Sequence, residues 1–123
     1  AVKNMTDQGL ERLRQIQAAQ REDLSNYNVD EFIRHDREFH SCIYEMSLNR
    51  ELMKLASNYY DVFRFLGMQA VMGTEERRLT TIEEHQDILE AMEQHNPKAA
   101  VQAMKKHMEQ TETNIRRHIK IAP

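Results

Sequence analysis

Asp36 and His40 are the residues of this chain whose types and spacing most suggest chemistry. They lie four positions apart in the string RHDREFHSCIYEMS, so a helix would bring them side by side. The face they share is otherwise apolar, because Phe32 and Ile43 fall within about 60° of Asp36 on a helical wheel. A carboxylate buried in such a place is costly unless it is paired or coordinated. The pair is therefore a candidate for two neighbouring ligands of one cation.

Two further histidines share this inward placement. His85 falls on the same predicted helical face as Ile88, and His107 falls on the same face as Met104. One acid and three histidines, on three separate helices and each facing the core, predict a metal site. Its four predicted ligands are Asp36, His40, His85 and His107.

The chemistry of these four side chains narrows the choice of metal. Three neutral imidazoles and one carboxylate suit Zn²⁺ or Ni²⁺, whereas Ca²⁺ and Mg²⁺ prefer oxygen ligands. The only cysteine is Cys42, which excludes a thiolate-rich zinc site and a disulfide within the chain. We therefore expect Zn²⁺ or Ni²⁺ as the cofactor.

Other chemistry-bearing residues have simpler interpretations. We expect His35 and His95 to be surface residues, and His118, near the chain end, is a second-rank ligand candidate. The charged run EERR at 75–78 is interpreted as a solvated face. The methionines are interpreted as core packing, for which their flexible side chains are suited.

The composition indicates one all-α domain over residues 1–123. Glycine (3) and proline (2) are scarce, which favours helix and leaves few turn residues for strands. The net charge of −3, with both signs mixed, argues against a nucleic-acid-binding surface in this chain. Neither a membrane-spanning apolar run nor a signal peptide is recognisable, so we expect a cytoplasmic protein that does not bind membranes.

Five helical segments must position the site. The first helix is predicted to run from Thr6 or Asp7 to about Ser25, and the second from near Asp30 to about Ser47. The third is predicted to begin after Asn49 and end near Gly73, and the fourth to run from Thr74 to about His95. The fifth is predicted to begin at Asn96-Pro97 and end near Ile119. Short connections between such long helices favour antiparallel neighbours. The predicted architecture is an antiparallel helical bundle.

Two long strings of the sequence resemble a known family. HDREFHSCIYEMSLNREL and EEHQDILEAMEQHNPKAAVQAMKKHM are similar to the FCD domain, the ligand-sensing C-terminal domain of FadR-type GntR transcription regulators. The shared positions are Asp36, Phe39, His40, Asn49, Glu84, His85, Ile88, Leu89, Ala91, Met92, Ala103 or Ala100, Met104 and His107. The resemblance implies that Asp36 and the three histidines coordinate a divalent ion, usually zinc or nickel, in the middle of the bundle.

The resemblance also implies a regulatory function and not an enzymatic one. A small organic carboxylate would bind at the metal and bias the packing of the bundle. This change in packing would alter the spacing of two DNA-binding domains in a homodimer, which is an allosteric effect. Arg64, Thr81 and Asn114 are candidate contacts for that effector, arginine being suited to bidentate carboxylate recognition. We expect the bundle's first helix and the N-terminal winged helix-turn-helix of the family to be absent from this chain, so that DNA is contacted only by the absent part.

Residue chemistry alone leaves other functions open. A mononuclear metallohydrolase could use the same ligands to activate water, although only Glu84 offers itself as a general base. A di-iron oxidase would need more carboxylates than are present at these positions. The third alternative is a metal-free helical interaction module in which the histidines are structural.

Overall fold

Five helices make up most of the computed structural model, which describes residues 7–46, 49–63 and 74–118. The helices are α1 (Asp7–Ser25), α2 (Val29–Met46), α3 (Arg50–Phe63), α4 (Glu75–Glu93) and α5 (Pro97–His118). These ranges contain no β-strand. The prediction of an all-α chain is therefore confirmed.

Side-chain caps define where four of the helices begin. Asn49, Thr74 and Asn96 accept hydrogen bonds from the backbone N–H groups three residues later, at 2.9, 3.2 and 3.1 Å. Asn28 does the same for α2, accepting from the N–H of Glu31 at 3.2 Å. Such caps satisfy donors that the first helical turn leaves without an intrahelical partner. The predicted starts of the last three helices are confirmed, and the second helix begins at Val29, one residue before the predicted Asp30.

The helices pack as a closed ring in the order α1, α2, α3, α5, α4 and back to α1. Contacts along α1 show that its neighbours run in the opposite direction. Arg12 near its start reaches Glu45 near the end of α2, and Gln20 near its end reaches Phe32 near the start of α2. The same holds between α1 and α4, where Arg14 pairs with Glu93. The predicted antiparallel bundle is confirmed.

The core lies inside this ring. Its fully buried side chains come from all five helices and include Leu13, Phe39, Leu52, Ile88 and Met104. Met92 is also fully buried, which agrees with the packing role expected of the methionines. No helix in the described ranges is long and apolar enough to cross a membrane.

Some predictions fall on residues that the structure does not describe. These are the continuation of the third helix over residues 64–73, which includes Arg64, and the end of the last helix at Ile119. Helix α4 is continuous from Glu75 to Glu93, without a break at Thr80-Thr81.

Candidate metal centre

Helix α2 supplies two of the four predicted ligands. Asp36 and His40 lie one turn apart on the face that also buries Phe32 and Ile43, and their side chains are 0% and 1% exposed. Asp36 Oδ1 lies 3.8 Å from His40 Nε2. The period of the helix therefore places an acid and an imidazole together in the core, as the sequence predicts.

His85 from α4 and His107 from α5 complete the cluster, and both are fully buried. His85 Nε2 lies 3.0 Å from Asp36 Oδ1, and His107 Nε2 lies 3.2 Å from His40 Nε2. One ligand atom from each of the four residues lies within 4.8 Å of the other three. The structure thus brings together all four residues that the sequence selected as a metal site.

A glutamine on α1 orients His85. Gln20 is fully buried, and its amide nitrogen donates a hydrogen bond to the backbone oxygen of Phe32 at 3.2 Å. That bond turns the amide oxygen towards His85 Nδ1, which lies 2.8 Å away. Because an amide oxygen only accepts, His85 Nδ1 carries a proton and donates it. In the neutral ring, Nε2 then presents its lone pair to the cluster.

A carboxylate on α4 orients His107 in the same manner. Glu84 Oε1 lies 2.6 Å from His107 Nδ1, so the ring donates from Nδ1 and its Nε2 faces His40. Arg77, two turns earlier on α4, donates to both oxygens of Glu84 at 2.8 and 2.9 Å. Glu84 is therefore an orienting group for His107 and is itself held by a bidentate ion pair.

Burial favours the neutral form of two imidazoles of this cluster, those of His40 and His107. It lowers the pKa of His40 well below the ordinary 6.5, with His107 and His85 adding to the effect against the charge of Asp36. Burial also lowers the pKa of His107, and the hydrogen bond with Glu84 only partly opposes it. Neutral imidazole is the form that binds a metal ion.

The acid of the cluster stays ionised. Burial by itself would raise the pKa of Asp36, but the contact with His85 Nε2 at 3.0 Å, with a proton between the two side chains in the metal-free protein, outweighs it and lowers the pKa. The pKa of Glu84 is lowered for a similar reason, since contacts with His107 and Arg77 outweigh its burial. The centre thus combines one ionised ligand with one ionised orienting group.

These four residues fit a divalent metal ion. Two ligand atoms that are each about 2.1 Å from one ion lie about 3 to 4 Å apart, which is the spacing of the measured pairs. In addition, the lone pair of His85 Nε2 and the ionised Asp36 Oδ1 would repel at 3.0 Å unless a proton or a cation lay between them. The donor set of three nitrogens and one oxygen suits Zn²⁺ or Ni²⁺.

Aromatic packing holds the rings in place. Phe39 stacks on His85, with ring centroids 4.0 Å apart and planes 3° from parallel. The rings of His40 and His107 also lie nearly parallel, at 5.2 Å and 8°. A rotation of any one ring would therefore disturb its neighbours, and the cluster is preorganised.

The structure describes two of the three predicted effector contacts. Thr81 is fully buried on α4, one turn before His85. Asn114 is half-buried on α5, and its amide nitrogen donates to the backbone oxygen of Gln110 at 2.8 Å. Arg64 lies outside the described residues. These three assignments stay predictions.

Two surface assignments were wrong. His35 is largely buried, with 15% of its side chain exposed, because its Nδ1 pairs with Asp23 on α1 at 2.5 Å. In the run EERR, Glu75 and Glu76 are exposed as expected, but Arg77 and Arg78 are only 2% and 4% exposed, so its basic half is not a solvated face. A buried arginine is tolerated when its charge is matched, as that of Arg77 is by Glu84.

The sequence analysis did not predict the roles of Gln20 and Arg77. Both residues nevertheless have a recognisable position in the sequence. Gln20 lies two helical turns after Leu13, and so continues the apolar stripe of α1. Arg77 precedes Glu84 by seven residues, which puts the opposite charges on one face of α4. A polar residue on an apolar stripe is thus a useful indicator of an orienting group.

Fold and site together define a helical ligand-binding domain with a buried acid-and-histidine centre. The model of the FCD domain matches residues 1–110, so the chain belongs to the FCD domain family, the ligand-sensing domain of GntR-type regulators. The resemblance noted in the sequence is therefore confirmed. Comparison with curated proteins and with solved structures gives no match.

Proposed function

We propose that this chain is a metal-dependent, small-carboxylate-sensing domain that controls the DNA binding of a GntR-type transcription regulator. The observation that carries the proposal is the buried cluster of Asp36, His40, His85 and His107, whose ligand atoms lie within 4.8 Å of one another. Family membership supports the regulatory role. The donor set supports Zn²⁺ or Ni²⁺ as the ion.

The position of the cluster suits a sensor. Its residues come from α2, α4 and α5, and Gln20 adds α1, so four helices of the ring meet at one centre. A divalent ion there would supply positive charge in the core, and in a six-coordinate ion four protein ligands would leave positions for water or a carboxylate. Thr81, Asn114 and Arg64 are proposed as contacts for the rest of the effector. A change in helix packing would then alter the spacing of two DNA-binding domains in a homodimer.

The metallohydrolase alternative lacks support from the geometry. A hydrolase needs a general base near the metal-bound water, and Glu84 was the candidate for that role. In the structure, the Glu84 carboxylate accepts from His107 Nδ1 and from both terminal nitrogens of Arg77. An acid bound in this way is poorly placed to take a proton from water. We therefore retain the sensor as the proposed function.

A thermal-shift experiment tests the sensing role. Small mono- and dicarboxylates are added to zinc-loaded protein, to chelator-treated protein and to the Asp36→Ala variant. A carboxylate at a hundred times its Kd should stabilise the loaded wild type by about 2.7 kcal/mol. Loss of this shift in the other two samples supports the proposal. An equal shift without metal, no shift with any carboxylate, or turnover of a carboxylate would overturn it.

A further inference from the structure

The orienting groups of His85 and His107 differ in charge. His85 Nδ1 donates to the neutral amide of Gln20, whereas His107 Nδ1 donates to the Glu84 carboxylate at 2.6 Å. A hydrogen bond to a carboxylate is about twice as strong as one between neutral groups, and it makes the other ring nitrogen a better donor to a metal. The two histidines are therefore not equivalent.

Glu84 is itself fixed by a clamp between α4 and α5. Arg77 binds both of its carboxylate oxygens, and the same guanidinium donates to Thr111 Oγ1 at 2.8 Å. Thr111 lies one turn after His107, and its hydroxyl donates to the backbone oxygen of His107 at 2.9 Å. The carboxylate consequently has little freedom to rotate away from the His107 ring.

The side chains of the clamp, Glu84, Arg77 and Thr111, are mostly buried. Arg77 is 2% exposed, Thr111 is fully buried, and 15% of the Glu84 side chain is exposed. Ionic hydrogen bonds are stronger in such surroundings than at the surface, provided that both charges are matched. This ion pair is matched, since two guanidinium nitrogens meet two carboxylate oxygens.

We infer that Glu84, fixed by Arg77, is a positioning residue that holds His107 in its Nδ1–H form and makes it a stronger metal donor than His85. The inference rests on the proposed metal-binding function and deepens it. Glu84 and Arg77 would not contact the ion, because they act only through His107. Their effect must therefore appear in the proton position of His107 and in metal affinity.

The test compares Glu84→Gln with Glu83→Gln. Both variants make the same chemical change at adjacent positions of α4, but Glu83 is exposed and does not belong to the clamp. Zinc affinity is measured by competition with a chromophoric chelator. Glu84→Gln should bind zinc about 10- to 100-fold more weakly, the usual effect of losing an outer-shell partner, while Glu83→Gln should match the wild type. Equal affinity of the two variants would overturn the inference.

A second measurement does not depend on metal or on a folded variant. The ¹⁵N shifts of the His107 ring in chelator-treated wild type report which nitrogen carries the proton. Protonated Nδ1 and unprotonated Nε2 are expected, and the reverse would overturn the inference. If the wild type bound no zinc, the proposed function would be refuted. The ¹⁵N shifts would still test, without metal, which nitrogen of His107 carries the proton. The two failures are thus distinguishable.

Discussion

Replacing Gln20 by methionine should weaken both the fold and the metal centre. Methionine has a similar shape and is a good helix former, so the change removes two hydrogen bonds without altering α1. The buried Nδ1–H of His85 loses its acceptor, and the bond to the Phe32 backbone oxygen is also lost. An unsatisfied buried donor costs about 1 to 3 kcal/mol, and an ordinary hydrogen bond contributes about 1 kcal/mol. Partial compensation by the apolar side chain leaves an expected loss of about 2 kcal/mol.

Gln17→Met is the matched control for this prediction. Gln17 lies on the same stripe of α1, is 1% exposed and donates to the backbone oxygen of Ile82 at 2.8 Å, but its hydrogen bonds do not involve His85. Its replacement should cost about 1 kcal/mol and leave zinc affinity unchanged. Gln20→Met should lower zinc affinity by about tenfold or more, because the ring loses the partner that orients it.

Two assays separate the effects on stability and on metal binding. Urea denaturation with a chelator present gives the free energy of unfolding of the metal-free protein, and chelator competition gives the zinc affinity. A loss of about 2 kcal/mol corresponds to a fall in Tm of about 6 to 10 °C for a domain of this size. If Gln20→Met and Gln17→Met had the same zinc affinity, or if Gln20→Met were as stable as the wild type, the role given to Gln20 would be refuted.

Three further results are expected. First, the metal-free protein should lose stability as the pH falls from 7 towards 5. The folded state holds the pKa of His40 and His107 below the ordinary 6.5, so the unfolded chain takes up protons first, at up to about 1.4 kcal/mol per pH unit for each group. Urea midpoints that stay level over this range would contradict the burial of neutral imidazoles. Second, Cys42 should react slowly with a thiol reagent at pH 8, because burial raises the pKa of its thiol and only 2% of the residue is exposed. A rate equal to that in denaturant would contradict it. Third, Thr74→Ala should cost about 0.5 to 2 kcal/mol by removing the cap of α4, as measured by urea denaturation, while Thr113→Ala on an exposed position should cost less.

Local rules were sufficient to predict the helices and the faces they bury. The wheel around Asp36 correctly placed Phe32, His40 and Ile43 inside, because a 3.6-residue period determines which side chains share a face. The caps at Asn49, Thr74 and Asn96 were equally predictable, since each is a polar residue directly before a predicted helical segment.

Partners that meet across helices could not be deduced in the same way. Gln20 and His85 are 65 residues apart, and their contact depends on α1 and α4 closing the ring. The burial of Arg77 depends on Thr111 and Glu84 lying opposite it, which a charge count along the sequence does not reveal. The pairing of His35 with Asp23 likewise requires the antiparallel arrangement of α1 and α2. Helical periodicity and capping residues therefore predict which residues are buried in the core, whereas tertiary packing determines which residues they contact.

The most direct test of the account is the metal content of the protein purified without a nickel column. Elemental analysis is made on the wild type, on Asp36→Ala and His107→Ala, and on the exposed control Glu83→Ala, each loaded with zinc and then dialysed. One ion per chain is expected in the wild type and in the control, and a large loss of bound ion is expected in both ligand variants. A wild type without stoichiometric metal, whose melting temperature is also unmoved by zinc, would contradict this expectation.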